Sequence, residues 1–284
     1  MTAVSGAPVR RRPIATDRRL PAPDVVRACA LIGVVVMNYH GYLVFRGADP
    51  GTGWFAGLFD ARTGALSTRF AATFVLVAGV GITLMTRRVV AAAAAGAEGA
   101  AERLVEMRWR LVRRGLVLYV LGEFLDVIWP GTIITYYGAM FAIAALLFTA
   151  SNRTVIGVGV AAALAGWAIN TWTVQQRLDG ESVSWLTSPG RDSVRRYVFD
   201  LFVNGTHPLL PWLAFLCAGI VVGRTMESPR CRQTCVGIGL ARFGASLVAE
   251  SFGDTTMQRA VLSADPFQRG AVYVASALGT ALLA

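Results

Sequence analysis

Residues 24–45 read DVVRACALIGVVVMNYHGYLVF, a run long enough to cross the hydrocarbon core of a bilayer as one helix. Such a run constrains everything else. In lipid every backbone polar group must be satisfied within the chain, so helices or closed barrels are the available spanning forms. Further apolar blocks follow at about 69–86, 115–130, 132–150, 154–173 and 208–224, with weaker ones at 236–252 and 270–284. The predicted fold class is all-α: a polytopic transmembrane helix bundle of about 7–8 spans. Pro130-Gly131 ends the third block, because proline removes a helix hydrogen bond. No internal repeat is evident.

Composition agrees with a lipid solvent. Hydrophobic residues are 55% of the 284, charged residues 15%, and mean hydropathy is +0.53. A soluble domain carries about 25% charged residues. The net charge of +10 does not imply nucleic acid, because the cations fall between apolar blocks rather than along one stripe. All 27 basic residues are Arg, which fits a GC-rich, bacterial genome.

Arginine placement orients the chain. Arg10, Arg11, Arg12, Arg18 and Arg19 precede the first block, within a polar tail over residues 1–22 expected to be cytoplasmic. Arg87, Arg88, Arg103, Arg108, Arg110, Arg113 and Arg114 lie between the second and third, Arg153 between the fourth and fifth, and Arg224, Arg230 and Arg232 after the sixth. The intervening loops have mixed charge: in 174–207, Arg177, Arg191, Arg195 and Arg196 stand against Asp179, Glu181, Asp192 and Asp200. A cytoplasmic N-terminus satisfies all of these through the sixth block, with 23–284 as the membrane domain. A cleaved signal peptide is not expected, since the first block starts late and no small-residue cleavage site follows. The Ala-rich stretch 89–101 reads as a cytoplasmic helix or link. The last block is still apolar at Ala284, which reads as a truncated or degenerate copy of a longer protein.

Cys29 and Cys217 lie in apolar blocks, and Cys231 and Cys235 in a basic loop without a nearby His, so no metal site is expected. Intramembrane polar groups are costly and default to function. His40 and His207 fall at the same outer depth, and imidazole is the natural general base near neutral pH. Asn38, two residues before His40, suits orienting an imidazole or donating to an oxyanion. Glu123 and Asp126 share a helix face and suit a partner for His or a polar substrate. Asp24 and Arg27 open the first block, and Arg113 and Arg114 the third, on the inner side, where guanidinium groups suit phosphate. Each of these also has a purely structural reading, as an interfacial hydrogen bond or a topogenic charge.

Asp24-Val-Val-Arg27-Ala-Cys-Ala-Leu-Ile-Gly33, followed by Asn38-Tyr-His40, resembles the helix-1 signature D-x-x-R-(G/A)-x-A-L-x-G…N of the heparan-alpha-glucosaminide N-acetyltransferase catalytic-domain family. Residues 69–81, 113–138 and 207–224 (HPLLPWLAFLCAGIVVGR) are similar to later helices of that family. The resemblance implies a membrane acyltransferase of the plasma membrane. It would take acetyl from cytoplasmic acetyl-CoA and pass it to an amino or hydroxyl group of an extracytoplasmic glycan or glycolipid. Under it, His40, Asn38, His207, Asp126 and Glu123 are the catalytic candidates, and Arg27, Arg113, Arg114 and Asp24 those for the donor. Two departures stand out. The loop 46–67 has no His where the family has one, and Arg69 stands where an acidic residue is expected. A transporter or flippase, or a non-catalytic remnant, would use the same polar groups differently.

Overall fold

The computed structural model describes residues 21–49, 51–187 and 193–284; the basic tail 1–20, Arg191 and Asp192 lie outside them. The described residues are helical, with no strand among them. In chain order the helices are α1 Pro21–Phe45, α2 Trp54–Phe59, α3 Arg69–Ala94, α4 Ala100–Asp126, α5 Ile134–Leu147 and α6 Asn152–Leu178. Then come α7 Ser184–Thr187, α8 Val194–Phe199, α9 Leu209–Thr225, α10 Cys231–Glu250, α11 Thr256–Leu262 and α12 Ala271–Leu283. Each apolar block of the sequence corresponds to one helix, and Pro130-Gly131 falls in the turn between α4 and α5. The Ala-rich stretch splits between the end of α3, a turn, and the start of α4.

Among the described residues three helices are long and apolar enough to span a membrane: Ala22–Phe45, Arg69–Ala94 and Asn152–Leu178. A fourth span arises if Tyr197–Asn204 and Leu209–Thr225, bent by 60°, count as one. Helix α4 starts with a basic half, so only its second half is apolar. Its residues Leu116, Val117, Val120, Leu121 and Phe124 recur on one exposed face. Helices α1 (Leu31, Ile32, Val35) and α6 (Ile156, Val160, Leu164) carry exposed apolar faces as well, and together these are more apolar surface than water tolerates.

Helix α3 is the central element. It packs against α1, α4, α9 and α12, and 67% of its apolar stretch is buried, against 22% for α1 and for α6. Small residues make its contacts close. A Cβ on Gly219 of α9 would overlap the Leu76 carbonyl of α3, and Thr83 Oγ1 donates to the Ile220 carbonyl at 3.0 Å. Helices α4 and α5 form a hairpin of the same kind, in which a Cβ on Gly138 would overlap the Tyr119 backbone.

The bundle has two chemically distinct ends. At one, Arg224 closes the last turn of α9 on the end of α5. Its Nη1 donates to the Ala150 carbonyl and Asn152 Oδ1 at 2.8 Å, and its Nη2 to the carbonyls of Leu147 (3.2 Å) and Phe148 (3.0 Å). These are carbonyls that a helix C-terminus leaves orphaned. At the other end lie the C-terminus of α1, the 60–68 loop, the 129–131 turn, and the bend before α9.

Candidate functional site

A cavity of about 470 Å³ opens at that second end. The last three turns of α1 form one wall and contribute Asn38, His40 and Gly41. The opposite side consists of Asp60 and Arg62 from the loop after α2, Thr68 and Phe70 at the start of α3, Trp129 of the α4–α5 turn, Thr206 and His207 before α9, and Phe267. Gly41 sits where a Cβ would stand 3.0 Å from both Trp129 and Ala61, so glycine there preserves the cavity's width.

Asn38 has a defined orientation. Trp129 Nε1 donates to Asn38 Oδ1 at 2.8 Å. Indole nitrogen only donates, so the amide oxygen must face it and the amide NH₂ is left for the cavity. Trp129 is itself wedged edge-on against Tyr42 (centroids 6.3 Å apart) and Phe45 (5.8 Å) of α1. His40 is half-buried on the same wall.

Asp60 ends α2 in a tight turn. Its Oδ1 accepts from Arg62 N (2.9 Å), Thr63 N (2.7 Å) and Thr63 Oγ1 (2.8 Å), and Ser67 Oγ donates to the Ala61 carbonyl at 2.7 Å. Partial burial pushes the Asp60 carboxyl up. The three hydrogen bonds, with a smaller electrostatic contribution from the nearby His40, outweigh this and hold it below the usual carboxylate range. Asp60 and His40 line the same cavity. Arg62 lies over the Phe267 ring, 5.9 Å from its centroid.

His207 is 6% exposed, packed edge-on against Trp212 (4.5 Å) and tilted against Tyr136 (6.0 Å). Its neighbour Thr206 donates through Oγ1 to the Pro130 carbonyl at 2.9 Å, tying the bend to the α4–α5 turn. Thr68 takes a left-handed backbone (φ 60°) and hydrogen-bonds the buried Tyr273 hydroxyl at 2.9 Å.

The structure thus brings Asn38, His40 and His207 to one cavity. Glu123 and Asp126 line a different and much smaller one, about 40 Å³, with Tyr119, Tyr136 and Asp200. Arg27 pairs with Asp24 at 3.2 Å on the exposed flank of α1. Arg113 and Arg114 are exposed on α4, where Arg114 Nη1 reaches Met85 Sδ at 3.3 Å. None of these four lines a described cavity. Asp60, Arg62 and Trp129 escaped the sequence reading. Thr63 three residues after Asp60 was the available signal, because the pair spells an Asx turn. Among the described residues no group of three or more His, Cys, Asp or Glu side chains is arranged to hold a metal.

A lipid-facing helical bundle with a largely apolar cavity at one end, into which a few polar side chains are gathered, defines a helical membrane protein built around an end-on site. The family model described as heparan-alpha-glucosaminide N-acetyltransferase, catalytic, matches residues 19–255, and the chain belongs to this family. It is an acetyltransferase-type membrane domain, of a family that is acetyl-CoA-dependent in general. No curated protein and no solved structure matches the chain.

Proposed function

We infer that this chain is a multi-pass plasma-membrane acetyltransferase. It would take acetyl from cytoplasmic acetyl-CoA and deliver it to an amino or hydroxyl group of an extracytoplasmic sugar. The observation that carries this reading is the convergence of His40, Asn38 and Asp60 on one cavity. The remaining helices would complete a bundle of seven or eight spans with the N-terminus inside, the histidine cavity outside and the Arg224 end inside. That polarity suits a donor and an acceptor arriving from opposite faces.

Arg27, Arg113 and Arg114 would hold the phosphates of an acyl-CoA from the exposed flanks of α1 and α4 rather than from a cavity. Arg27 sits 13 residues before His40 on one continuous helix, roughly 20 Å along the axis, the kind of span an extended pantetheine arm covers. Arg27, Arg113 and Arg114 expose guanidinium groups; Arg27 pairs with the surface carboxylate of Asp24 and Arg114 with the weak sulfur acceptor of Met85, which leaves donors for phosphates. Acetyl-CoA, when bound, supplies an activated acetyl thioester. His40 takes the acceptor's proton as its nitrogen or oxygen bonds the acyl carbon, and passes it to the departing sulfur. Asp60 offsets the charge that the imidazole then carries. The Asn38 NH₂ donates to the acyl oxygen as negative charge develops. His207, enclosed by rings, shapes the far wall. Glu123 and Asp126, on their separate cavity, have no part in this step.

The test is transfer of labelled acetyl from acetyl-CoA to amino sugars by the purified chain. His40→Ala is expected to abolish transfer while leaving insertion and the elution profile unchanged. Normal turnover in that variant would sink the assignment. Failure of the unaltered chain both to bind CoA and to transfer would overturn the enzymatic reading.

A further inference from the structure

A second cavity, of about 340 Å³, adjoins the first. Phe267 lines both. Around the second stand Arg177, Arg269, Asn170, Thr173 and Gln268, and no carboxylate lines it among the described residues. Arg269 is held in place from below. Its Nη2 donates to the Asn204 carbonyl at 2.6 Å and the Gly205 carbonyl at 2.8 Å, in the bend that leads to Thr206 and His207 of the first cavity. Those partners are carbonyl dipoles, and no anionic side chain among the described residues meets the cation within this cavity. Asp200, which acts on Arg269 electrostatically, opens instead on the small acidic cavity. The Asn170 Nδ2 is buried without a hydrogen-bond partner. A buried donor left unmade is costly, and a half-buried cation is stabilised by an anion.

Two guanidinium groups and an unsatisfied amide NH₂ make a donor-rich lining. A phosphoryl group, with oxygens in several directions and up to two charges, uses such a lining more fully than a planar carboxylate does. We propose that this cavity binds a phosphoryl group carried by the acceptor, whose reacting amine or hydroxyl lies across Phe267 in the histidine cavity. The link to the acceptor rests on the transferase reading above; the phosphoryl site itself does not. Arg269, Gln268 and Phe267 lie beyond the residues that the family model matches, whereas Asn170, Thr173 and Arg177 lie within them.

The test is binding by the full chain in neutral detergent, read by calorimetry and thermal unfolding, with glucosamine 6-phosphate, glucosamine and glucuronate as probes. Glucosamine 6-phosphate is expected to bind and raise the unfolding midpoint, and glucosamine to bind at least tenfold more weakly. Arg177→Gln, at the exposed mouth, and the isosteric Asn170→Asp, which adds a repelling charge, are each expected to weaken binding at least tenfold. Arg269→Gln is expected to do so more strongly, but it also loosens the bend, so the other two variants decide. Equal binding of glucosamine and its phosphate, glucuronate binding as tightly as the phosphate, or unchanged affinity in both deciding variants would overturn the proposal. Nanodiscs of phosphatidylglycerol that block the sugar phosphate would assign the phosphoryl group to a lipid-borne acceptor, and nanodiscs that do not block it would assign it to a soluble one. Binding with this pattern but without acetyl transfer would retain the site and remove the transferase reading.

Discussion

At the scale of single residues, the orientation of Asn38 is the most exacting requirement. Its amide oxygen is fixed because Trp129 can only donate to it. Trp129→Phe keeps most of the apolar wedge and removes that donor, so the amide is free to turn over. Loss of one hydrogen bond of about 1 kcal/mol predicts roughly a fivefold to tenfold fall in turnover. Asn38→Asp replaces donor by acceptor and is expected to cost about 10²–10³ in kcat. Single-turnover acetyl transfer checks both, and equal activity in the two variants would remove Asn38 from the acyl-oxygen site. Asp60 makes a separate prediction. Its carboxyl is depressed in the folded chain, so the stabilisation is present above the unfolded carboxylate range and is lost as pH falls through the folded value. The gap in unfolding midpoint between the native chain and Asp60→Asn should therefore be full near neutral pH and close as pH drops below about 4. His40 and Asn38 were legible because polar residues inside an apolar helix are conspicuous. Asp60 was not, since a loop aspartate is commonplace and its meaning comes from the turn that aims it.

At the scale of elements, helix contacts in lipid depend on how closely backbones approach, not on apolar matching. The Gly219-x-x-x-Gly223 spacing is readable in the sequence, but its partner helix is not. The structure supplies it: Gly219 lies on the Leu76 backbone of α3. Gly81 offers a matched control within α3, since a Cβ there meets nothing within 4 Å. Gly219→Ala should lower stability by about 1–3 kcal/mol through forced separation of α3 and α9. Gly81→Ala should be neutral or gain up to about 1 kcal/mol from helix propensity. Thermal unfolding of the two variants in one detergent decides, and similar shifts would mean that the α3–α9 contact is not close-packed. The segment between α6 and α9 was the least legible. Its short helices, α7 and α8, and the bend at Leu210 lack the long apolar period that marked the others.

For the whole molecule, sequence located the helices well but not their rank in the bundle. Helices α1 and α3 have nearly the same mean hydropathy, 1.6 and 1.7, yet α3 is three times as buried. In water a peripheral helix needs a polar face; in lipid its outward face is as apolar as its inward one, so periodicity carries no such signal. What survives at this scale is the contrast between ends, and the transferase reading depends on it: the arginine end must be cytoplasmic and the histidine end external. In a background with Cys29, Cys217, Cys231 and Cys235 replaced, single cysteines can report this from exposed turns. Ala48→Cys follows α1 at the histidine end, Glu181→Cys follows α6, and Ala97→Cys lies between α3 and α4 at the arginine end. A membrane-impermeant maleimide applied to intact cells should label the variants at 48 and 181, and label the one at 97 only after permeabilisation. The reverse pattern would put the histidine cavity in the cytoplasm, where donor and acceptor would share one face. Labelling of all three from outside would mean that the helices joining those turns do not cross the bilayer.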